Sequence, residues 1–327
     1  MADLDVTVGK IVYRITRVFE IIRKFRNWFE ILLTIRNPLL DHVVIKFREL
    51  DAAKPIRVSK RNFFFILDSL MSNTIKVSDD FFVHKDITIM YDQDPFEVIL
   101  SKKWIGMPTL NFGQDISTWV ETFVEAQYEN GCDGLKSREV VDIGANVGDS
   151  AIFFALNGAS RVFAYEPLPS VFRLGLSNIE ILNLSDRIRF YNFAVGMNQT
   201  LVYVPSNLQR DSGGFSLIDV HYKNDTHNVH VRQITLGEAI KPCLDRFLLK
   251  IDCEGCEYDL VLNCYNEIRT FERLLIEYHA YLTGVSHHKL IRKLEADFEI
   301  YYINQAMQTR PRSLIGLIYC IRKSHDM

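Results

Sequence analysis

The stretch VVDIGANVGDS, Val140 to Ser150, decides the fold predicted for the rest of the chain. A short apolar run ends at Asp142, glycines follow at Gly144 and Gly148, and a helix-compatible stretch begins at Ser150. We therefore expect a strand, a tight turn and a helix in direct succession. Glycine permits a sharp turn and a close approach of backbone to ligand, at the strand end where open α/β sheets place their crevices.

The spacing of this turn distinguishes between nucleotide ligands. A dinucleotide-binding turn reads G-x-G-x-x-G and seats a pyrophosphate on the helix N-terminus, but here Asp142 stands in the first glycine position. A carboxylate repels a pyrophosphate and suits a cationic amino-acid or sulfonium group. Glu166 ends the next apolar run, 24 residues after Asp142, where it can accept hydrogen bonds from a ribose diol. Turn and acid together predict S-adenosylmethionine as the ligand, whereas a glycine turn alone is more often chain punctuation.

Four ordered blocks of sequence resemble the FkbM family of S-adenosylmethionine-dependent methyltransferases. They are DIGANVGDSAIFFA, AYEPLP, the pair SNIEILN and FAVG, and LLKIDCEGCEYDL. The resemblance runs from about Thr122 to the C-terminus, and residues 1 to about 105 lie outside it. It implies the class I methyltransferase fold, a Rossmann-like α/β doubly wound sheet that is mainly parallel with an antiparallel closing strand. The alternation of apolar runs and helical patterns after residue 139 predicts the same fold, preceded by an N-terminal helical or α+β extension.

The strand ends and the resemblance together give the candidate cofactor-binding residues. Asn192 and Ala194 lie near the adenine by resemblance, with a strand-end turn as the alternative reading. Tyr128 precedes the first strand and is a further candidate, with packing as its alternative role. The full set is Asp142, Gly144, Ala145, Asn146, Gly148, Glu166, Pro167, Asn192, Ala194 and Asp252.

Polar side chains crowd the ends of two later predicted strands, where Asp252 and Glu254 follow one and Glu277 and His279 end the other. The carboxyl ends of neighbouring parallel strands face one crevice, so we expect these groups to converge. Methyl transfer from a sulfonium needs alignment, exclusion of water and removal of a proton from the acceptor. We expect His279 to be the general base, with Asp252 or Glu277 holding its other nitrogen. Glu254 completes the set of candidate catalytic residues.

Two other interpretations of these polar residues remain open. Asp252, Glu277 and His279 are suitable ligands for a divalent cation that would orient a hydroxyl and make it more acidic. Alternatively, the acidic residues cap helices, and Lys250 neutralises one of them.

Composition restricts the partners and the compartment. A chain of 327 residues with a net charge of −3 has no bulk attraction to phosphates, so we expect no nucleic-acid partner. The sequence shows no recognisable secretory signal, so we expect its six cysteines to be reduced in a cytoplasmic protein. Cys253 and Cys256 form a C-x-x-C that indicates redox chemistry or half a zinc site, but small core-facing residues are the stronger interpretation.

An apolar seven-residue repeat predicts a helix from Lys10 to Ile35 in the N-terminal region. Basic residues lie on the other faces of this helix. Three roles compete: packing within the protein, a homodimer through a coiled coil, and peripheral contact with an anionic membrane. Charges interrupt the apolar positions, so this helix is not a transmembrane span. We divide the chain into this helix (1–37), an α+β lead-in or cap (38–115) and the methyltransferase domain (116–327). The apolar stripe comprises Ile11, Ile15, Val18, Ile22, Phe25, Phe29 and Leu32.

The chemical class of the methyl acceptor is narrowed by elimination. Methyltransferases that act on amino groups of bases often carry an N/D-P-P-Y tetrapeptide after the strand that here ends in D-C-E-G, Asp252 to Gly255. An oxygen acceptor is therefore favoured, and the resemblance implies a hydroxyl of a sugar, glycolipid or other metabolite. The alternatives are a non-catalytic S-adenosylmethionine-binding or assembly protein and an RNA methyltransferase.

Overall fold

The computed structural model describes residues 14–40, 42–48, 55–71, 75–77, 81–84, 87–90, 97–100, 110–111, 116–205, 228–303 and 312–324. The chain divides into two compact units, Met1–Val120 and Glu121–Met327.

The described part of the first unit contains short helices and two antiparallel sheets. One sheet pairs β1 with β2, and the other is a five-stranded meander in the order β3-β4-β5-β6-β7. The elements are α1 (residues 14–24), α2 (Trp28–Arg36), β1 (His42–Ile45), β2 (Ile56–Ser59), α3 (Lys60–Met71), β3 (Ile75–Val77), β4 (Phe81–His84), β5 (Ile87–Met90), β6 (Glu97–Leu100), β7 (Leu110–Asn111) and α4 (Ile116–Trp119).

The prediction of one continuous N-terminal helix is wrong in the described part. The helix is interrupted after residue 24, because Phe25 forms a β-bridge with Phe47 and the next helix begins only at Trp28. Phe25 is fully buried, with its ring centroid 5.1 Å from that of Phe47 and 5.7 Å from that of Phe63. Burial of this aromatic side chain outweighs the continuation of the helix.

The predicted apolar stripe does not form one packed face. The core residues of this segment are Ile21, Phe25 and Ile31, of which only Phe25 belongs to the stripe. Several apolar side chains of both helices are instead exposed. None of the described helices is both long and apolar enough to cross a bilayer. The exposed side chains are Ile15, Val18, Phe19, Ile22, Phe29 and Leu33.

A seven-stranded sheet forms the centre of the second unit, in the order β10-β9-β8-β14-β15-β17-β16. In this sheet β17 runs antiparallel to both of its neighbours, β15 and β16, and all other pairs are parallel, so the predicted doubly wound sheet with an antiparallel closing strand is confirmed. Its strands are β8 (Glu139–Ile143), β9 (Arg161–Tyr165), β10 (Ile188–Tyr191), β14 (Leu248–Ile251), β15 (Arg273–His279), β16 (Phe298–Ile303) and β17 (Ile315–Arg322).

The segment 188–196 is divided between two sheets. Its first part is β10, whereas Ala194 begins β11 in a separate three-stranded sheet of order β11-β13-β12. The strands of that sheet are β11 (Ala194–Gly196), β12 (Thr200–Pro205) and β13 (Asn228–Thr235).

Helices follow the central strands as the sequence pattern predicts. Residues 120–124 form a π-helical turn and residues 129–132 a 3-10 turn before β8. The α-helices are α5 (Asp149–Leu156), α6 (Pro169–Ile181), α7 (Leu236–Ile240), α8 (Cys256–Asn263), α9 (Tyr265–Ile268), α10 (Ala280–Thr283) and α11 (His288–Leu294).

The central strands are buried along their whole length. Every residue of β8 and of β14 is buried, as expected for inner strands of a parallel sheet that is covered on both faces. This explains why both strands are mainly apolar in the sequence, although Glu139, Asp142 and Lys250 also lie within them.

The strand order places a crevice beside β8. The chain passes from β8 outward through β9 to β10 and then returns to β14 on the other side of β8, which makes the β8–β14 boundary the topological switch point. Gly144 follows β8 with φ +79°, and a Cβ atom there would lie 1.7 Å from the carbonyl oxygen of Asp252. The glycine is therefore required by the end of β14 as well as by its own backbone conformation.

Alanine substitutions at Gly144 and Gly284 separate the effect of the backbone conformation from the effect of packing against Asp252. Gly284 also has a positive φ, +66°, but nothing lies within 4 Å of its Cβ position. We expect Gly284→Ala to lower the free energy of unfolding by about 1–2 kcal/mol, the cost of a left-handed L-residue. Gly144→Ala adds a backbone collision and should cost about 4 kcal/mol or more, or prevent folding. Urea denaturation measures both, and equal losses would contradict the packing of Gly144 on Asp252.

Candidate active site

The structure brings together the carboxyl ends of four parallel strands of the second unit. Asp142 lies in β8, Glu166 directly follows β9, Asp252 directly follows β14, and Glu277 lies near the end of β15. These positions agree with the sequence-based expectation that the acidic residues share one crevice. What the sequence did not define is which of them face the crevice and which are closed off from it.

Lys250 is the buried cation between two of these carboxylates. Its Nζ lies 3.0 Å from Oδ1 of Asp142 and 3.6 Å from Oδ2 of Asp252, and it donates to the carbonyl oxygen of Gly144 at 3.1 Å. It also lies 5.4 Å from the ring centroid of Tyr128. Burial lowers the pKa of Lys250, but the charges of Asp142 and Asp252 outweigh burial and raise it. The side chain is therefore an ammonium cation that ties β8 to β14.

Asp142 is enclosed by protein groups at the end of β8. Its side chain is completely buried, and Oδ2 accepts a hydrogen bond of 2.6 Å from the hydroxyl of Ser150 while Oδ1 faces Lys250. Both oxygens thus face protein groups, and the direct contact with a ligand that the sequence suggests stays a prediction. The residue instead fixes the strand end and the first turn of α5 around the glycine turn.

The glycine turn itself has the predicted sharp geometry. Gly144 and Ala145 both donate their backbone N–H groups to the carbonyl oxygen of Tyr165, at 3.0 Å each. Asn146 has φ +46° and Gly148 has φ +82°, and Gly148 is the N-cap of α5. The turn is thereby held against the end of β9, next to Glu166.

Glu166 is held in place by backbone donors. Its two carboxylate oxygens accept hydrogen bonds from the N–H groups of Asn146, at 3.1 Å, and Leu168, at 2.8 Å. Burial nevertheless raises the pKa of Glu166 to about 8, against the lowering effect of these bonds. Asn192 donates through Nδ2 to the backbone oxygens of Glu166 and Pro167, at 2.9 Å each, and so joins the ends of β9 and β10.

The structure changes the interpretation of His279. Its Nδ1 lies 3.3 Å from Oε1 of Glu257, and its Nε2 lies 3.5 Å from Oε2 of Glu254 and 3.9 Å from Oε1 of Glu277. Burial lowers the pKa of His279, but the hydrogen bond to Glu257 and the three neighbouring carboxylates outweigh it and raise the pKa to about 10. An imidazolium that stays protonated at neutral pH is a poor proton acceptor, so the geometry favours another base, and the general-base role of His279 stays a prediction.

The carboxylate beside Nδ1 of His279 belongs to Glu257, not to the predicted Asp252 or Glu277. It is fully buried; Oε1 accepts the backbone N–H of His279 at 2.7 Å, and Oε2 accepts that of Gly255 at 2.7 Å. The spacing of Glu257 from Asp252 gave no indication of this role, because the contact depends on how α8 packs beside β15.

Glu277 has the properties of a proton acceptor that operates near neutral pH. Burial and the charge of Asp252 raise the pKa of Glu277 to about 8, although the positive charge of His279 lowers it. Its side chain retains 14% of its possible exposure, whereas that of His279 retains 2%. Of the two, Glu277 is therefore the group that faces solvent in the crevice.

Two buried residues near the crevice were missed or undervalued by sequence reasoning. Asp149, in the first turn of α5, accepts a 2.6 Å hydrogen bond from the hydroxyl of Thr122, and burial outweighs this bond and raises the pKa of Asp149 to about 7. Tyr128 is buried beside Phe153 and Phe154, and its hydroxyl lies 3.3 Å from Oδ2 of Asp252. Tyr128 thus both packs and contacts the acidic site. Asp149 was visible in the sequence only as an acid next to a glycine.

A metal ion held by Asp252, Glu277 and His279 is not supported. In the described part of the chain, no three His, Cys, Asp or Glu side chains are arranged to hold a metal ion. Lys250 faces the carboxylate of Asp252 and protonated His279 faces that of Glu277, so cationic side chains already neutralise these two groups.

The C-x-x-C pair forms a disulfide, so the prediction of reduced cysteines is wrong for these two residues. Cys253 and Cys256 have Cα atoms 5.4 Å apart, and the turn between them brings the sulfur atoms together. Both pack partly against the hydrophobic core, as predicted. The other cysteines, Cys132, Cys243, Cys264 and Cys320, are free.

Residues 142–300 match the family model of the methyltransferase FkbM domain. The chain carries a methyltransferase FkbM domain. This confirms the resemblance seen in the sequence, and the matched range contains the glycine turn, the acidic strand ends and the C-x-x-C pair. No curated protein matches the sequence.

Solved methyltransferase structures resemble the FkbM chain only distantly. An O-methyltransferase from Bacillus cereus in complex with SAH is 14% identical, with a TM-score of 0.38 over 64% of this chain and 83% of that one. A putative rRNA-methylase from Clostridium thermocellum is 11% identical, with a TM-score of 0.36 over 61% and 96%. A putative tRNA (m1A22) methyltransferase from Streptococcus pneumoniae, in complex with S-adenosyl-L-methionine, is 10% identical, with a TM-score of 0.38 over 62% and 74%.

The buried titratable groups predict how stability depends on pH. The pKa of Glu166 is raised to about 8 by burial and that of His279 to about 10 by its carboxylate neighbours. Between the unfolded and the folded pKa, only the folded state keeps the proton, so the free energy of unfolding falls as pH rises through that interval. We expect the Tm to fall between about pH 7 and 9.5.

Two variants test how much the carboxyl group of Glu166 contributes to the pH dependence of Tm. Glu166→Gln should make the fall in Tm shallower, because the amide does not titrate, whereas Glu180→Gln on the exposed side of α6 should leave the slope unchanged. Differential scanning calorimetry across the pH series measures this. A Tm that rises over the same interval would contradict the buried, protonated state of these groups.

Proposed function

We propose that the FkbM domain transfers a methyl group from S-adenosylmethionine to a hydroxyl oxygen of a sugar, glycolipid or similar metabolite. The observation that carries this proposal is the excess of acidic groups around the glycine turn at the switch point of the sheet. The family supports methyl transfer in general, and the charge of the crevice supports the donor.

The excess of negative charge suits a cationic donor. Among the residues that the structure describes, seven carboxyl groups lie around the crevice, and Lys250 and His279 are the cations that contact them. The raised pKa values of three of these carboxyl groups express the same imbalance, since each is more easily ionised when a cation arrives. S-adenosylmethionine brings a sulfonium and an ammonium group, whereas ATP and NAD bring phosphates. The seven carboxyl groups are those of Asp142, Asp149, Glu166, Asp252, Glu254, Glu257 and Glu277.

The residues at the strand ends have distinct roles in binding the donor. Glu166 keeps lone pairs on both oxygens after accepting two backbone bonds, so it can accept hydrogen bonds from the two ribose hydroxyls. The turn from Gly144 to Gly148 faces the amino-acid end of the donor, and Asp252 at the end of β14 lies next to that turn. Asp142 acts indirectly, through Lys250 and Ser150.

Glu277 is the group that removes the proton of the acceptor. A pKa of about 8 leaves enough ionised carboxylate at neutral pH to act and makes it basic enough to accept a proton as the methyl group transfers. The imidazolium of His279, 3.9 Å away, stabilises the ionised form. Alignment with the sulfonium carbon and exclusion of water supply the rest of the rate.

An oxygen acceptor fits the sequence after β14. That segment reads D-C-E-G and lacks the N/D-P-P-Y tetrapeptide that amino methyltransferases of bases often carry. The net charge of −3 also disfavours a polyanionic RNA acceptor.

Replacing Glu277 tests its role as the proton acceptor. Glutamine mimics the protonated carboxyl, so Glu277→Gln should bind S-adenosylmethionine normally but lower kcat by about 10²–10⁴-fold. The wild-type rate should rise with pH and level off above about 8, as the carboxyl ionises. Glu180→Gln is the matched control on an exposed helix position. A Glu277→Gln enzyme with full turnover would remove Glu277 from this role.

The class of acceptor is tested with labelled donor. The full chain is incubated with S-adenosylmethionine that carries a radioactive methyl group and with a fractionated host lysate. We expect base-stable label in the glycan, glycolipid or small-molecule fraction. Label in RNA would favour RNA methylation, and binding of the donor without any transfer would favour a non-catalytic role.

We also propose that the exposed apolar face of α1 contacts an anionic membrane surface. Ile15, Val18, Phe19 and Ile22 are exposed on this helix, and the helix also carries Arg14, Arg17, Arg23 and Lys24 against a single acid, Glu20. An apolar face beside basic side chains is typical of helices that lie in the membrane interface.

Sedimentation with vesicles tests this contact. The full chain should sediment with phosphatidylserine vesicles but not with neutral ones, and Phe19→Glu should abolish the binding because Phe19 is 67% exposed. The homodimer is the competing outcome. A wild-type dimer that Phe19→Glu dissociates, with no binding to vesicles, would contradict the membrane proposal.

A further inference from the structure

The disulfide lies inside the acidic site. Cys253 and Cys256 enclose Glu254 and Gly255 in a closed ring, and both enclosed residues have left-handed backbone, with φ of 51° and 112°. Glycine adopts this conformation freely, but glutamate disfavours it. The ring therefore holds Glu254 in a conformation that an open chain would tend to leave.

The ring is joined directly to the crevice on both sides. Asp252, which precedes it, presses its carbonyl oxygen against Gly144 of the glycine turn. Within the ring, Oε2 of Glu254 lies 3.5 Å from Nε2 of His279, and the N–H of Gly255 donates to Oε2 of Glu257 at 2.7 Å. A change in the ring would thus displace an acidic side chain and the segment that contacts the turn.

The pair is suited to reversible chemistry rather than to global stabilisation. Its cysteines are three residues apart, and a disulfide that closes so short a loop removes little chain entropy from the unfolded state. Both residues are half-buried, so a thiol can reach them, unlike the fully buried Cys320.

We propose that Cys253 and Cys256 are a reversible dithiol–disulfide pair that controls the conformation of residues 252–257 and, through it, binding of the methyl donor. The part that concerns the donor rests on the proposed function. The co-reactant is a dithiol, either a small molecule or a protein that carries two neighbouring cysteines. The oxidised form, with the ring closed, is the form that binds the donor tightly.

The exchange is balanced in electrons and protons. A thiolate of the reductant attacks one sulfur of the pair, the Cys253–Cys256 bond breaks, and a mixed disulfide forms. The second thiol of the reductant then displaces the protein sulfur, so the reductant leaves as a disulfide. Two electrons pass to the pair, and each cysteine sulfur ends with one proton.

The first measurement establishes whether the pair is reversible. The full chain is equilibrated with a series of oxidised-to-reduced dithiothreitol ratios, quenched with acid, denatured and alkylated, and the peptides are mapped by mass spectrometry. We expect the peptide that holds Cys253 and Cys256 to titrate as one two-electron couple, while the free cysteines are alkylated throughout. If Cys253 and Cys256 form no disulfide at any ratio, the proposal is overturned.

The second measurement follows the consequence for the site. Calorimetric titration with S-adenosylmethionine should give about tenfold weaker binding to the reduced than to the oxidised protein, a usual magnitude for coupling between two sites. Cys253→Ser/Cys256→Ser should bind like the reduced protein in both conditions. Cys264→Ser, which removes a free cysteine at the other end of α8, should respond like wild type.

Hydrogen exchange of the backbone amides of residues 142–148 and 252–257 tests the effect of reduction in the wild-type chain, without ligand or variant. Reduction should speed exchange in these segments. Identical exchange and affinity in both states would overturn the redox proposal and leave the methyltransferase proposal intact. Faster exchange on reduction, with no binding of S-adenosylmethionine in either state, would support redox control of the loop and overturn the proposed donor.

Discussion

The ammonium group of Lys250 is the interaction on which the site depends. It is buried at the boundary between β8 and β14, 3.0 Å from Asp142, 3.6 Å from Asp252 and 3.1 Å from the carbonyl oxygen of Gly144. A buried charge without partners is very unfavourable, and removing one partner of such a pair typically costs about 3–5 kcal/mol. The glycine turn and the end of β14 are therefore fixed to one another at the switch point of the sheet. This junction fixes Asp142 and Asp252 relative to the glycine turn.

A second buried cation organises the far side of the crevice. Protonated His279 lies among Glu254, Glu257 and Glu277, and Glu257 also binds backbone N–H groups on both sides of the site. Lys250 and His279 thus act as internal counter-ions. They leave the crevice with surplus negative charge, and this surplus is what makes a sulfonium donor a better fit than a phosphate-bearing nucleotide.

The sequence predicted the fold well, because the features that define it are local. Mainly apolar runs at 139–143 and 248–251 predict buried parallel strands, and the glycine turn and the alternating helices define the doubly wound order. The N-terminal helix was predicted less well. Its interruption at Phe25 depends on a β-bridge to Phe47, a non-local contact that helical periodicity does not contain.

Site roles were harder to predict than site positions. The sequence placed Asp142 and His279 at strand ends, but their roles depend on burial and on the atoms that face them. Asp142 is covered by Lys250 and Ser150, and His279 keeps its proton because neighbouring carboxylates, among them those of α8 and β15, stabilise the imidazolium. The disulfide was missed for a related reason. Whether a C-x-x-C closes depends on the backbone between the cysteines, and here that turn passes through two left-handed residues.

The most direct test of these assignments is a crystal structure of the chain after S-adenosylhomocysteine has been soaked into the crystals. The account predicts the ribose hydroxyls on the carboxylate of Glu166, the homocysteine end against the turn from Gly144 to Gly148, and the sulfur pointing towards Asp252 and Glu277. It also predicts Lys250 unchanged between Asp142 and Asp252. A ligand bound elsewhere on the molecule, or a ligand that displaces Lys250 from this junction, would contradict it.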